Sequence, residues 1–221
     1  EIGARAYIIN GSLNGASIIF NGVGISENNN PIPPKFPFDI RGLTGCLSFI
    51  NLNVKDINVK ASNSNCEDTV NFINSSGSVN KILINNSFSD ALDVDFSDLK
   101  IQEINISAAK NDCTDFSYGN YVLKNLKVNN CGDKGISIGE TSKVDLEEIE
   151  VNNVNVGIAT KDSSILRLEK GTLSNLSTCF AAYNKKQAFE RCGKIKSRKL
   201  NKGLEAAKAV LSVMKNGPKK I

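Results

Sequence analysis

Apolar and polar residues alternate in short runs that return every 22 positions between about Glu67 and Ala182. Each run contains a triplet in which two mostly apolar residues flank a polar or small one. The triplets are Val70-Asn71-Phe72, Leu92-Asp93-Val94, Thr114-Asp115-Phe116, Ile136-Ser137-Ile138, Ile158-Ala159-Thr160 and Phe180-Ala181-Ala182. Two further apolar columns, which include Ile82 and Ile101, recur at the same interval. One extra residue enters between the third and fourth units and is lost again before Ile158.

Three short alternating strands in each 22-residue unit predict an all-β fold, a right-handed parallel β-helix, in which each coil buries its apolar edge against its neighbours. A doubly wound α/β protein needs helices of about 10 or more residues between strands, and these do not fit the interval. An antiparallel β-sandwich shares the short strands but gives no reason for so constant a repeat. A polar residue follows the second strand of every coil, where stacked side chains can satisfy one another. These residues are Asn85, Ser107, Asn129, Asn152 and Ser174.

The repeat divides the chain into three parts. Residues 1–39 hold two weak strand patterns and a proline-rich stretch over 28–37, so we expect an N-terminal cap or irregular coils with a loop. Residues 40–190 are predicted to form the β-helix. Residues 191–221 depart from the repeat, and an apolar stripe over 198–215 predicts a basic amphipathic helix. This helix would cap the open end of the solenoid or touch an anionic surface or partner.

Composition excludes several function classes. The 221 residues carry a net charge of +4, and the positive excess lies in the tail rather than on the solenoid. A nucleic-acid-binding face would combine basic and aromatic residues, which the repeat lacks. The sequence has no run of 18 apolar residues, so we expect no membrane span. It also has no histidine, so a Ser-His-Asp or Cys-His catalytic site cannot be built, and acid–base chemistry is left to Asp, Glu, Lys and Tyr.

The six cysteines suit an exported protein with disulfides. Their positions in the repeat predict three sequential pairs. These pairs are Cys46–Cys66, Cys113–Cys131 and Cys179–Cys192. The alternative is that some of the six are buried thiols that fill an apolar stack.

The candidate chemistry lies in two polar columns that follow the 22-residue interval. One column contains Asp68, Asp90, Asp112 and Lys134. The alternation places the other column on an outer face, and it contains Asn71, Asp93, Asp115, Ser137 and Ala159, with Asp95 and Ser117 extending the patch. Neighbouring coils lie about 4.8 Å apart, so stacked carboxylates repel one another unless they take up protons, pair with Lys134 or bind a hard cation such as Ca²⁺.

Two interpretations of these acids remain open. Aspartates at solenoid corners commonly accept hydrogen bonds from turn amides, which would make them caps. Alternatively, the acids form an ion- or sugar-binding patch. The expected calcium ligands are then Asp90, Asp93, Asp112 and Asp115. The expected substrate-binding residues are Asn71, Asp93, Asp115 and Ser137.

Several segments combine a corner Cys, Asn or Gly with an acidic strand. They are Gly42-Leu-Thr-Gly-Cys46, Cys66-Glu-Asp-Thr-Val-Asn-Phe72, Ser89-Asp-Ala-Leu-Asp-Val-Asp-Phe-Ser97, Asn111-Asp-Cys-Thr-Asp-Phe-Ser117, Asn130-Cys-Gly-Asp-Lys-Gly-Ile-Ser-Ile-Gly-Glu140 and Gly157-Ile-Ala-Thr-Lys-Asp-Ser-Ser164. Together they resemble a family of bacterial right-handed β-helix regions within the pectate-lyase-like superfold. Similar regions occur in large surface or exported proteins, sometimes beside a kinase-like spore-coat protein H domain. The resemblance covers residues 40–187 and implies the fold and an extracellular or cell-surface location.

The resemblance leaves two hypotheses for function. The superfold includes lyases, epimerases and hydrolases, whose marks are a Ca²⁺-binding acid cluster with an Arg or Lys base, or three Asp with a His. This chain has the acids but no His and no Arg beside them. We therefore expect a non-catalytic module that binds polysaccharide or neighbouring domains of a larger protein, with an oligomer possible. The alternative is a Ca²⁺-dependent lyase or epimerase of uronate-containing glycans, with Lys134 or Lys161 as the base beside Asp112 and Asp115.

Overall fold

The computed structural model describes residues 4–22, 38–182 and 191–192, and these form a parallel β-solenoid of about six turns with coils of about 22 residues. The predicted solenoid is thereby confirmed. Within the described residues, twelve strands join one parallel sheet that wraps around the core. The strands are β1 Ala6–Asn14, β2 Ser17–Asn21, β3 Gly45–Ser64, β4 Asp68–Ile73, β5 Ser76–Ser87, β6 Asp90–Asp95, β7 Asp98–Ala109, β8 Thr114–Ser117, β9 Asn120–Gly139, β10 Lys143–Thr160, β11 Ile165–Ala182 and β12 Arg191–Cys192.

The strand pairing follows the sequence interval. Val70 on β4 pairs with Leu92 on β6, and Leu92 pairs in turn with Thr114 on β8. The predicted extra residue is also found, because the pairing of β9 with β10 shifts between Val154 and Val156. The repeat thus fixes which side chains stack on one another along the axis.

The core is a set of apolar columns that run the length of the solenoid. Alternating residues of each strand point inward, and Phe72, Val94 and Phe116 in one such column are fully buried. Phe72 stacks on Phe49 of the preceding coil, with ring centroids 4.4 Å apart. Each buried side chain of this size stabilises the fold by about 1.5–3 kcal/mol. No single coil could bury these faces alone, so the stability belongs to the stack.

Polar stacks hold the corners, as the sequence predicts for the position after the second strand. Ser107 donates to the Asn85 amide oxygen at 2.9 Å, and Asn152 donates to the Asn129 amide oxygen at 2.7 Å. Ser174 donates to the same side chain of Asn152 at 2.9 Å. These hydrogen bonds satisfy the donors and acceptors of the polar side chains that stack at the spacing of the coils.

The N-terminal strands add a coil to the solenoid. Both β1 and β2 pair in parallel with β3, with Ala6 opposite Leu47 and Ser17 opposite Asn58. The proline-rich stretch over 28–37 and the amphipathic helix predicted over 198–215 lie outside the described residues.

Two of the predicted disulfides are present in the described part of the chain. Cys46 is bonded to Cys66, and Cys113 is bonded to Cys131, with Cα–Cα distances of 5.4 and 5.7 Å. The bonded cysteines are 20 and 18 residues apart in sequence, slightly less than one coil. Pairs at this spacing therefore lock single coils rather than linking distant ones.

The third predicted pair, Cys179 with Cys192, is wrong. Cys179 is a partly buried free thiol. Cys192 on β12 is in register with Leu168 of the preceding coil. The chain reaches Cys192 sooner after Cys179 than it reaches Cys131 after Cys113, so Cys192 lies on a different side of its coil.

Candidate functional site

Two polar columns run along the axis beside the short strands β4, β6 and β8. Strand pairing and hydrogen bonds between coils stack the residues of each column. The corner column contains Gly45, Asp68, Asp90, Asp112 and Lys134. The strand column contains Ser48, Asn71, Asp93, Asp115, Ser137 and Ala159. We define the acidic patch as the carboxyl groups of these columns together with their neighbours Asp95 and Glu140. It contains Asp68, Asp90, Asp93, Asp95, Asp112, Asp115 and Glu140.

The corner column leans over the strand column, which corrects one expectation from the sequence. A Cβ atom added to Gly45 would meet the Ser48 Oγ and would lie 2.9 Å from the Asn71 Cβ. Side chains three residues apart therefore converge at this bend. Asn71 and Ser137 were expected on an open outer face, but only 1% and 0% of their surfaces are exposed. The alternation of apolar and polar residues correctly places both side chains on the face opposite the core. It carries no information on the corner, which bends over this face and covers them.

The corner aspartates cap the backbone of the next coil, as the capping interpretation predicts. The Asp90 Oδ1 accepts from the backbone N–H of Asp112 at 2.8 Å and from the Asn111 Nδ2 at 2.7 Å. The Asp112 Oδ1 accepts from the backbone N–H of Lys134 at 2.9 Å. These charge-assisted bonds explain why an aspartate recurs at this corner.

Lys134 is held by two carboxylates. Its Nζ lies 3.1 Å from the Asp112 Oδ2 and 2.6 Å from the Asp133 Oδ2. Burial lowers the pKa of Lys134, but the hydrogen bonds and charges of Asp133 and Asp112 outweigh this and raise it overall. A lysine that acts as a general base needs a pKa lowered toward neutrality. The arrangement therefore works against the role of Lys134 as a base.

Burial raises the pKa values of Asp68, Asp90, Asp93 and Asp115, so these acids ionise less readily than exposed carboxyl groups. Burial, aided by neighbouring carboxylates, raises the pKa of Asp68 to about 7 and that of Asp90 to about 6. Burial and the charges of Asp68, Asp95 and Asp115 raise the pKa of Asp93 well above its usual value. Burial also raises the pKa of Asp115, although the Lys161 ammonium 3.8 Å away opposes the shift. A positive charge or a bound proton therefore stabilises the acidic patch.

Within the described residues, the strand column contains buried acceptor atoms that receive no hydrogen bond. The Asn71 Nδ2 donates to the Asp93 Oδ2 at 2.7 Å, while the Asn71 Oδ1 has no donor. The Asp115 Oδ1 also has none. Buried polar atoms are nearly always satisfied, and an unsatisfied one costs about 1–3 kcal/mol. The hydroxyl groups of Ser48 and Ser137, which lie next to Asn71 and Asp115 in the same column, are also buried without a partner among the described residues, and an O–H is the kind of donor that such acceptors need.

An exposed aromatic pair lies immediately after the acidic strands. Phe96 follows Asp95, and Tyr118 follows Ser117 on the next coil. The two rings stack with centroids 4.7 Å apart and planes 4° from parallel. The exposed fractions are 56% for Phe96 and 52% for Tyr118. Exposed aromatic rings at this position offer apolar contact area beside the carboxyl groups.

The backbone of the aromatic pair has a positive φ. Phe96 has φ 50° and Tyr118 has φ 51°, at a corner where Asn51 and Asn74 adopt the same conformation. Asparagine tolerates this region, whereas a bulky residue there costs on the order of 1–3 kcal/mol. Burial offsets little of this cost, because both rings are largely exposed, and the stacking of one ring on the other offsets only part of it. Positive φ recurs at other corners of this solenoid, for example at Ala108, so it is the aromatic side chains that distinguish this corner.

Sequence reasoning missed the aromatic pair. The signal was present, since Phe96 and Tyr118 stand 22 residues apart and continue the column of Asn74. This column changes from Asn74 to aromatic residues in the next two coils, so it is neither a polar column nor an apolar core column and escapes a search for either.

The expected calcium ligands are spread along the two columns. Within the described residues, no three His, Cys, Asp or Glu side chains form a group that could hold a metal ion. Asp90 and Asp112 are instead occupied by backbone amides and Lys134. The described acids therefore do not fit a preformed calcium site, and we derive no reaction step through one.

Comparison with known proteins adds no relative. No family model, curated protein or solved structure matches the chain. The described residues contain no helix that is long and apolar enough to cross a membrane.

Proposed function

We propose that this protein is a non-catalytic β-helix module of the cell surface or extracellular space that binds polysaccharide across the acidic patch and the Phe96–Tyr118 pair. The observation that carries the proposal is the aromatic pair, because two exposed rings are held at a backbone conformation that costs free energy. The C–H faces of a sugar ring pack well on aromatic rings of this kind.

The neighbouring polar groups supply the rest of a sugar site. Carboxyl and carboxamide oxygens accept hydrogen bonds from hydroxyl groups, and Asp93, Asp95 and Asp115 are partly exposed beside the pair. They repeat along a rigid solenoid at the spacing of the coils, about 4.8 Å. A linear polymer can therefore contact several coils at once, and weak contacts then add through multivalency.

The support for a non-catalytic role comes from Lys134 and the corner aspartates. Lys134 is engaged by Asp112 and Asp133, and Asp112 also caps a backbone amide. These groups already have structural partners, so the lyase alternative would have to break them before removing a proton. The two disulfides within the described residues are compatible with an extracellular protein, because disulfides persist mainly in oxidising compartments.

The test is a binding screen against immobilised polysaccharides with the variants Phe96→Ala and Tyr118→Ala. We expect each substitution to weaken binding about tenfold, which corresponds to about 1.4 kcal/mol. The matched control is Phe38→Ala, which removes an aromatic ring that is 53% exposed elsewhere in the described chain. The proposal fails if no polysaccharide binds, or if the control weakens binding as much as the pair variants do.

A second assay addresses catalysis. The protein is incubated with uronate polymers, with and without Ca²⁺, and the products are examined for the unsaturated chain ends that a lyase creates. We expect no turnover. Turnover that disappears in Lys134→Met would instead establish the lyase alternative.

A further inference from the structure

The acidic patch is short of positive charge. In the part of the chain that the structure describes, the cationic groups paired with it are Lys134, at Asp112, and Lys161, which approaches Asp115 at 3.8 Å. No described Lys or Arg side chain forms an ion pair with Asp68, Asp90 or Asp93. A polyanion would meet repulsion here, whereas a polycation would be attracted.

The partly exposed carboxylates of the patch suit the donors of an ammonium group. Asp93, Asp95 and Asp115 are each accessible in part, while the buried Asn71 Nδ2 donates to the Asp93 Oδ2 at 2.7 Å. An ammonium group offers three donors and no acceptor, so it can bind these carboxylates from outside and neutralise them.

The charge is distributed along the axis rather than gathered at a point. Asp93 and Asp115 lie in register on successive coils, and Asp95 lies beside them in the next column. Described carboxylates do not converge on a single metal position. Repeating anionic positions along a line match a polymer that carries repeating cationic groups.

We propose that the polysaccharide bound by this surface is one that carries free amino groups, such as a polymer of glucosamine. The inference rests on the proposed function and adds the charge class of its ligand. The ammonium groups lie against Asp93, Asp95 and Asp115, and the sugar rings contact Phe96 and Tyr118. An uncharged polymer with the same backbone keeps the contact with the aromatic rings and loses the contact with the carboxylates.

The test compares four soluble probes by titration calorimetry at about pH 7, where amines still carry protons and more of the patch carboxyl groups are ionised than at lower pH. The probes are glucosamine oligomers, their fully N-acetylated counterparts, oligogalacturonate and oligolysine. We expect the glucosamine oligomer to bind at least about tenfold more tightly than the acetylated one. Its affinity should fall steeply with added salt, because exposed charges are screened.

Two substitutions separate charge from sugar contact. Asp93→Asn should weaken binding of the glucosamine oligomer about tenfold or more and leave the acetylated oligomer unchanged. Asparagine already occupies position 71 in the same column, so the variant is expected to fold. Phe96→Ala should weaken the binding of both the glucosamine oligomer and the acetylated oligomer. Glu103→Gln, on another face, is the matched control for loss of one carboxylate.

The outcomes distinguish the two proposals. Equal binding of the acetylated and free-amine oligomers, or tighter binding of oligogalacturonate, would overturn the amino-sugar inference and leave polysaccharide binding intact. Oligolysine that binds as tightly as the glucosamine oligomer would overturn it too, because charge without sugar would then suffice. Failure of all three sugar probes here and of every polysaccharide in the wider screen would end the proposed function itself.

Discussion

Charged side chains stack at the same interval on two faces of this solenoid, but the balance of charge differs between the two faces. On the long strands, several charged side chains pair with an opposite charge in the next coil. Lys81 pairs with Glu103 at 3.0 Å, and Glu148 pairs with Lys170 at 3.0 Å. On the short strands, Asp93 is stacked directly on Asp115 in the next coil. One face therefore neutralises its charges, and the other concentrates them.

The difference shows that the acidic patch does not result from the repeat alone. The same geometry accommodates alternating charges a short distance away, so a like-charged column is not needed to build a coil. Stacked carboxylates cost stability unless protons or cations compensate them. This cost supports our proposal that the patch contacts a ligand, because functional sites commonly give up stability.

The largest contrast is expected when a lysine is removed from each face. Lys134→Met should lower the free energy of unfolding by roughly 3 kcal/mol, because it leaves the buried Asp112 carboxylate without its partner. Lys81→Met should change it by less than about 0.5 kcal/mol, because both members of that pair are exposed. Denaturant unfolding measures both values. Equal losses would mean that the two faces do not differ as described.

The next contrast is in the response to pH. Asp68 and Asp90 have folded-state pKa values raised to about 7 and about 6, so the folded protein binds more protons than the unfolded chain above about pH 4. Their contribution to stability is fully present below the unfolded-state pKa and is lost as the pH rises through the folded-state values. We expect Tm to fall by roughly 5 °C between about pH 5 and about pH 8. A Tm that rises over this range would contradict the assignment.

A smaller effect is expected from removing one charge. Asp93→Asn should raise the free energy of unfolding at about pH 8 by roughly 1 kcal/mol, because it relieves repulsion from Asp95 and Asp115. The gain should shrink at about pH 5, where protons already relieve it. Glu103→Gln should lower stability slightly, because it removes the partner of Lys81. A destabilised Asp93→Asn variant would show that this carboxylate supports the fold.

The smallest effect is expected from calcium. Described carboxylates do not converge on one position, so we expect millimolar Ca²⁺ to raise Tm by no more than about 2 °C. Calorimetry on wild type and on the Asp93→Asn/Asp115→Asn double variant checks this expectation. Tight binding that is lost in the double variant would instead establish calcium as a ligand of the patch.

Much of the fold could be predicted because burial in a solenoid repeats with the coil. The columns of Val70 and Phe72, the extra residue that enters before the fourth unit and is lost before Ile158, and the disulfides Cys46–Cys66 and Cys113–Cys131 all follow from position within the repeat. The stacking of the aspartates could be predicted for the same reason.

What could not be predicted depends on local geometry within a coil. The burial of Asn71 and Ser137 arises from a bend that brings side chains three residues apart together, and alternation contains no information on that bend. The free thiol of Cys179 reflects the place of Cys192 on its coil, which the irregular end of the repeat hides. The function of the patch was left open because capping and ligand binding call for the same residue type at the same corner.

The most direct test of the account is thermal unfolding of wild type and Asp93→Asn at about pH 7, with and without glucosamine oligomers. The account predicts that the variant is the more stable protein without ligand. It predicts that added oligomer raises the Tm of wild type by several degrees and that of the variant by much less. A variant that is less stable than wild type, or an equal rise in both proteins, would contradict the claim that the carboxylates are stacked for a cationic ligand.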